Sequence, residues 1–223
     1  MPQAAPIGLS TQVTYTVQST VALSDWEVDA YRGTLGTNAN VLSSGGWLRS
    51  GCSTSMRDGV TYRPCEETHY IDPDDVDSGD TGHLRNGDAT SWSTYGTAYK
   101  PNGSRDTDKL SATVRLKRAS RIVRIDAGPE PVAKDAKITV TGTVQRANWT
   151  NDRFDNYGLP AVQLQFKASG SSSYKTVKTV TASSAGALKT TVTAAQDGTW
   201  RWYFGGNDIT GASNSVGDLV DVR

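Results

Sequence analysis

Potential metal ligands are densest in an acidic segment between residues 71 and 80. Five aspartates lie there within nine positions: Asp72, Asp74, Asp75, Asp77 and Asp80. Carboxylates this close repel one another unless water or a cation neutralises them, and Ca²⁺ takes about six to eight such oxygens. The spacing departs from that of an EF-hand loop, because no Glu closes the segment. Two interpretations are open: a calcium site, with Asp88 as a more distant ligand, and a solvated acidic turn.

A second cluster, polar and aromatic, spans residues 148–158 between two segments with strand patterns. Its candidate ligand-binding residues are Trp149, Asp152, Phe154, Asp155 and Tyr157. Aromatic rings can stack on sugar rings while neighbouring Asp and Asn side chains bond to sugar hydroxyls. In the alternative interpretation the rings cap the open end of a β-sandwich and the Asp and Asn residues form turns.

The two cysteines, Cys52 and Cys65, are thirteen positions apart and belong to no CxxC pair. The two histidines do not complete a zinc-binding spacing with them. We predict a disulfide that closes a short loop and contributes about 3 kcal/mol through the entropy of the unfolded chain. Such a bond places the protein outside the cytoplasm, whereas free thiols would be compatible with a cytosolic protein.

Common catalytic motifs do not occur in the sequence, which has no GxSxG, HExxH, Walker or GxGxxG pattern. The only histidines, His69 and His83, are the candidates for a general base. Ser and Asp are plentiful, and a catalytic triad is set by geometry rather than by sequence order. We therefore predict that the protein is not an enzyme, with a secreted hydrolase as the alternative.

Charge and composition narrow the class of protein. The 223 residues include 23 basic and 23 acidic side chains, so the formal net charge of zero favours neither nucleic acid nor an anionic membrane. No apolar run has the length of a membrane span. Only four of the 23 acids are Glu, and a composition rich in Asp, Ser, Thr and Gly favours turns and strand edges over helices. These features indicate an all-β protein with long polar loops.

Strand-like alternation is clearest in the C-terminal half. The predicted strands cover residues 122–125, 137–144, 161–166, 174–181, 188–193, 200–204 and 219–222. Trp200, Trp202 and Phe204 share one face of their strand, which predicts that they pack in a core. Short strands with a period of two, separated by Gly, Ser, Asp and Asn, are typical of a sandwich or small barrel. Pro129 and Pro131 suit the kinked edge strand with which such a domain opens.

The N-terminal half alternates at both ends, over residues 12–18, 23–31 and 110–116. In the last of these, Leu110, Ala112, Val114 and Leu116 share one predicted face. The polar stretch 33–103 is too long for a single loop in a compact domain and predicts three or four short strands. We place the domain boundary near Ser120, which gives an N-terminal domain of residues 1–119 and a C-terminal domain of residues 120–223.

The C-terminal half resembles the Ig-like module found in tandem in secreted proteins of Streptomyces and related actinobacteria. The matching segments are 129–132 (PEPV), 138–142 (ITVTG), 146–149 (RANW), 162–166 (VQLQF), 174–180 (YKTVKTV), 186–194 (GALKTTVTA) and 197–202 (DGTWRW). The N-terminal half is similar to the more variable domain that precedes this module. The resemblance implies a secreted β-sandwich, and it implies no catalytic residue or substrate.

Together these features predict an all-β fold of two tandem Ig-like, Greek-key β-sandwich domains. The predicted function is that of a secreted, non-enzymatic recognition or structural module associated with a cell surface or glycan. Cell-wall or extracellular polysaccharide is one class of expected partner, and a protein is the alternative. Nucleic acid and a membrane span are not expected, and calcium is the one cofactor that the sequence suggests.

Overall fold

A computed structural model describes residues 9–35, 40–42, 47–50, 52–71 and 84–223. The chain divides into two compact units, Met1–Leu116 with Trp149–Asp152, and Lys117–Asn148 with Arg153–Arg223. The division after residue 116 lies three residues before the boundary proposed from the sequence. The sequence predicts that the short segment 149–152 belongs to the C-terminal domain, whereas the structure groups it with the first unit.

Seventeen strands make up almost all of the regular structure in the described residues. In the first unit they are β1 (Leu9–Ser19), β2 (Asp25–Arg32), β3 (Asn40–Leu42), β4 (Trp47–Ser50), β5 (Ser55–Arg57), β6 (Val60–Ile71), β7 (Ser91–Tyr99) and β8 (Arg105–Arg115). In the rest of the chain they are β9 (Ser120–Gly128), β10 (Ala136–Asn148), β11 (Arg153–Asn156), β12 (Ala161–Ala168), β13 (Lys175–Thr181), β14 (Ala187–Ala194), β15 (Gly198–Phe204), β16 (Ser213–Asn214) and β17 (Asp218–Val220). Within the described ranges the one helical element is a single 3-10 turn, Asn86–Asp88, and no helix there has the length and hydropathy of a membrane span.

The first unit contains two antiparallel sheets. In one sheet β6 pairs with β1, β4 and β5, and in the other the strand order is β3-β2-β7-β8. The Trp26 indole N–H of β2 donates a hydrogen bond to the Tyr15 hydroxyl of β1 over 3.3 Å, and the Arg63 guanidinium of β6 lies 5.4 Å from the Trp26 ring centroid. Trp26 therefore joins the facing sides of the two sheets.

The outermost strand of that second sheet, β8, differs from its predicted role. Alternation in the sequence predicted a buried face, but Leu110 and Ala112 are exposed and only Leu116, just after the strand, is buried. The physical reason is that β8 has a single neighbour among the described strands, β7, with a register shift between Ser93 and Tyr95. An edge strand with one partner leaves much of its surface to solvent.

The predicted disulfide is confirmed. Cys65 lies within β6, opposite Tyr15 of β1, and bonds to Cys52 with the two Cα atoms 4.3 Å apart. The backbone N–H of Ser53 also donates to the carbonyl of Pro64 over 3.3 Å. The disulfide and this backbone hydrogen bond together hold the segment before β5 against β6.

The second unit is a sandwich of two sheets with the core between them. In one sheet β10 pairs with β9, β11 and β14, and in the other the order is β13-β12-β15-β16, with β17 also pairing with β15. The predicted strands of this half are confirmed; β10, β12, β14 and β15 bury alternate residues, as a period of two predicts, whereas β13 buries no face and its Val177 is exposed. Fully buried side chains from both sheets meet in the core, among them Ile138, Val140, Leu164, Leu188 and Trp202.

Trp202 is the largest of these fully buried side chains. Its indole N–H donates to the carbonyl of Thr141 over 2.9 Å, and its backbone N–H donates to the Ser215 hydroxyl over 2.9 Å. The ring lies against Gly142 of β10, where an added Cβ would be 2.9 Å from Cδ1 and 3.0 Å from Nε1 of the indole. A glycine is required here because the indole occupies the space of a side chain.

Candidate functional site

The five aspartates of the predicted calcium site, Asp72, Asp74, Asp75, Asp77 and Asp80, lie outside the described residues, as does His83. Asp88 is described and forms an ion pair with Arg32, while its other carboxylate oxygen accepts the backbone N–H of Arg85 over 2.6 Å. In the described ranges there is no group of three or more Asp, Glu, His or Cys side chains placed to hold a metal ion. The calcium site stays a prediction.

The predicted ligand-binding cluster lies in and beside the hairpin formed by β10 and β11. Its first member, Trp149, is 3% exposed and has no ring face open to a sugar. Within the first unit the Trp149 backbone N–H donates to the side-chain oxygen of Asn86 over 3.0 Å. The buried indole nitrogen has no hydrogen-bond partner among the described residues. Asp152 is exposed in the turn that follows.

Asp155 is held by two neighbours in the same hairpin. The Asn148 side-chain amide donates to one carboxylate oxygen over 2.5 Å, and Arg153 Nε donates to the other over 2.7 Å. The Asn148 hydrogen bond is the main reason that the pKa of Asp155 lies below its ordinary value, and the charge of Arg153 acts in the same direction. Asp155 is thus a carboxylate already engaged by donors of its own hairpin.

The two remaining aromatic members are each paired with an arginine. The Arg121 guanidinium lies 4.1 Å from the Phe154 ring centroid, and that of Arg146 lies 4.2 Å from the Tyr157 ring centroid. Tyr157 also packs edge-on against Phe204, and its hydroxyl accepts a hydrogen bond from the Asn207 amide over 2.9 Å. Tyr157 therefore caps one end of the second sandwich, as the alternative interpretation expected. Ligand binding by the cluster stays a prediction.

A different group of side chains is organised on the outer face of the five-stranded sheet. Burial of Val162 and Leu164 on β12, and of Trp200 and Trp202 on β15, places the alternate residues of both strands on the opposite face of the sheet, where Gln165 is buried and the others are at least partly exposed. The register pairs Gln163 with Tyr203, Gln165 with Arg201, and Lys167 with Thr199. We refer to the set Gln163, Gln165, Lys167, Tyr174, Thr176, Arg201 and Tyr203 as the arginine–tyrosine face.

Arg201 is at the centre of this face and is fixed on two sides. Its Nε donates to the side-chain oxygen of Gln165 over 2.9 Å, and its guanidinium lies 3.7 Å from the Tyr174 ring centroid. The Lys167 ammonium lies 5.3 Å from the centroid of the same ring. Thr176 of β13 donates its hydroxyl hydrogen to the Gln163 side-chain oxygen over 2.8 Å. The face thus presents ordered cations, amides and rings.

A polar face of the first unit, on β2 and β7, has a different chemistry. Asp29 is buried, and the Tyr99 hydroxyl donates to Glu27 Oε1 over 2.6 Å, which raises the pKa of Tyr99. Burial, and then the charge of Asp29 and a hydrogen bond with it, raise the pKa of Tyr95 well above its ordinary value. Both phenols are held protonated near neutral pH, so they are donors there rather than bases or nucleophiles.

These features define a class of protein, an all-β chain of tandem Ig-like β-sandwich domains with one disulfide. No family model matches the chain, and no curated protein matches it.

Solved structures to which the chain is similar include the D00-D0 domain of Intimin, at 14% identity over 95% of this chain and 99% of that one, with a TM-score of 0.31. The full Ig1–Ig3 ectodomain of mouse nectin-like molecule 4 is 12% identical over 98% of this chain and 64% of that one, with a TM-score of 0.24. Domains A168-A170 of titin are 10% identical over 97% and 59%, with a TM-score of 0.27. At these values the similarities assign neither a ligand nor a partner to this chain.

Proposed function

We propose that this chain is a secreted, non-enzymatic recognition or structural module that associates with a cell surface or glycan. The observation that carries the proposal is the arginine–tyrosine face, where Arg201 is held by Gln165 and Tyr174. Side chains that are already ordered lose little conformational freedom on binding, so more of the contact energy is available for affinity. Amides, hydroxyls and aromatic rings on one face suit a ligand rich in hydroxyl groups.

Two further observations support secretion. The Cys52–Cys65 disulfide is a bond that persists in oxidising compartments. The segments 138–142 and 162–166, which resemble the secreted actinobacterial module, form β10 and β12 of the second sandwich. We propose on these grounds that the chain belongs with those secreted Ig-like proteins.

Protein binding is the second candidate function, and β8 is the observation that favours it. Within the described ranges this strand of 11 residues pairs with β7 alone, and its side chains are exposed apart from that of Val114. An exposed edge offers unpaired backbone N–H and C=O groups to an extended partner strand. The charges of Arg105 and Lys109 and of the intervening Asp106 and Asp108 would restrict which partner could pair there.

The exposed part of the β10–β11 hairpin and the acidic segment 72–80 are secondary proposed sites. In the hairpin, Asp152 and Phe154 are the members best placed for a ligand, because Trp149 and Tyr157 are packed against neighbouring residues. Calcium bound by the aspartates of segment 72–80 would couple surface attachment to the calcium concentration.

Co-sedimentation with insoluble cell-wall material tests the function. The full chain is incubated with the washed material, first without and then with soluble polymer as a competitor. Each incubation is run in calcium and in chelator, at roughly physiological ionic strength, where the Debye length is about 8 Å. Depletion of the chain from the supernatant, reversed by soluble polymer, supports association with a glycan. Protein that stays in the supernatant under every condition refutes it, and loss of binding only in chelator assigns a role to the aspartates.

A further inference from the structure

The arginine–tyrosine face carries positive charge without a matching carboxylate. Arg201 and Lys167 both approach the Tyr174 ring, at 3.7 and 5.3 Å, although like charges repel one another. Neither cation forms an ion pair within the part of the chain that the structure describes. Asp197, which precedes β15, is engaged elsewhere, because its Oδ1 accepts the backbone N–H of Val222 over 2.7 Å.

The surrounding sequence extends this imbalance. Residues 156–196 contain no Asp or Glu; of their four lysines, Lys167, Lys175 and Lys178 belong to the five-stranded sheet or its loops, and Lys189 lies on β14 of the opposite sheet. Lys175 and Lys178 are exposed on β13, the strand that borders the face. The whole chain has equal numbers of acids and bases, so a segment of 41 residues without an acid is a local concentration of positive charge in a neutral protein. An anionic ligand would relieve the repulsion between these cations.

We propose that the arginine–tyrosine face binds an acidic polysaccharide, a polymer whose sugars carry carboxylates. This inference rests on the proposed function and names the chemistry of the ligand. Arg201 offers a planar, ordered guanidinium to a carboxylate, and Lys167 offers a second positive charge beside it. The partly exposed Gln163 amide and Tyr203 ring, on the same face, suit the hydroxyls and apolar faces of the sugar units, while the buried Gln165 holds Arg201 in place.

Charge and composition favour a glycan over other polyanions. A nucleic-acid-binding domain has a strongly basic charge balance, whereas this chain has a formal net charge of zero. The face is also lined mainly by amides, hydroxyls and rings rather than by a dense row of cations. The face has a few cations among many neutral polar groups, and this ratio of charged to neutral groups suits a polymer that carries one carboxylate per sugar.

The test measures binding of polygalacturonate to the full chain at two salt concentrations, with fully methyl-esterified polygalacturonate as the neutral polymer of the same sugar. We expect the charged polymer to bind and the ester to bind little. Binding of the charged polymer should weaken as salt rises, because it releases the counterions that surround the polymer. Lys167→Gln combined with Arg201→Gln should weaken binding by roughly tenfold and flatten the salt dependence. Lys189→Gln, the same charge change on the opposite sheet, should leave binding unchanged.

Arg201 also contacts Gln165 and Tyr174, so a folding defect must be separated from a binding defect. The single variant Lys167→Gln removes one charge without touching the Gln165 hydrogen bond and should weaken binding by a few-fold. The denaturation midpoint of each variant reports whether the sandwich is intact. Weaker binding by Lys167→Gln with an unchanged midpoint supports the inference.

The other outcomes overturn it in distinguishable ways. Equal binding of the ester would refute an acidic ligand, and equal binding by the variants would refute the arginine–tyrosine face as the binding site. In either case sedimentation with cell wall would still support the proposed function. Binding of polyglutamate or single-stranded DNA as tight as that of polygalacturonate would show a general polyanion surface and overturn the choice of a glycan. Absence of both polygalacturonate binding and sedimentation overturns the inference and the proposed function together.

Discussion

Gly142→Ala tests the packing of the second sandwich most directly. The new Cβ would lie 2.9 Å from Cδ1 of Trp202, whereas carbon atoms in contact are normally about 3.5–4.0 Å apart. The indole cannot move away freely, because it is fully buried and its N–H is bonded to the Thr141 carbonyl over 2.9 Å. The conflict must therefore be absorbed by the backbone of β10 or by an unfavourable indole position.

The magnitude follows from two opposing effects. Overpacking by one methyl group in a close-packed core costs about 1–3 kcal/mol. Replacing glycine by alanine stabilises by about 0.4–1 kcal/mol, because the unfolded chain loses conformational freedom. We expect a net loss of about 1–2 kcal/mol, which lowers the Tm of a domain of this size by roughly 5–15 °C.

Denaturant unfolding followed by tryptophan fluorescence measures this loss. The control is Gly205→Ala in the same unit, where the nearest atoms to an added Cβ are those of the Tyr203 ring at 3.8 Å, and the expected change is within about 0.5 kcal/mol. In a Trp202→Phe background the cost of Gly142→Ala should shrink, because the conflicting indole atoms are gone. The same cost in both backgrounds, or no cost in the first, would falsify the steric explanation.

Three further predictions concern the disulfide and two ionisable groups. Replacing Cys52 and Cys65 by serine should destabilise the first unit by about 3 kcal/mol, measured as a lower denaturation midpoint; an unchanged midpoint would mean that the bond adds nothing to stability. Asn148→Ala should raise the pKa of Asp155 in a carboxyl NMR titration, because the hydrogen bond that lowers it most is lost; stability from this group is present above its unfolded pKa and is lost as pH falls through the lower folded value. Since the pKa of Tyr95 is raised on folding, the first unit should lose stability as pH rises above about 10, and Tyr95→Phe should reduce this slope in alkaline denaturation curves.

The second sandwich could be predicted from the sequence because most of its strands, β10, β12, β14 and β15 among them, bury alternate residues. Alternation of Trp200, Trp202 and Phe204 with polar residues places all three in the core without knowledge of their partners. Alternation was misleading for Leu110 and Ala112, because an apolar face is buried only where a second layer covers it, and β8 lies at an edge. The pattern of one strand cannot show its position in the sheet.

The arginine–tyrosine face could not be predicted in the same way. Tyr174 and Arg201 are 27 positions apart, and their contact depends on the order in which β13, β12 and β15 pair and on the register of each pair. The one signal available in the sequence was the absence of acids from residues 156–196. The aromatic cluster of residues 149–157 was visible in the sequence, but the sequence did not decide between exposed rings and the burial that the structure shows for Trp149.

The border strand β13 has a consequence for the solubility of the protein. Among the strands that the structure describes it pairs with β12 alone, and of its side chains only that of Val180 is not exposed, so its outer backbone groups could template another chain. Lys175 and Lys178 place two positive charges along this edge, and a second copy aligned against it would bring like charges together. Lysine acetylation would remove that repulsion and leave a Thr- and Val-rich strand open to edge-to-edge aggregation.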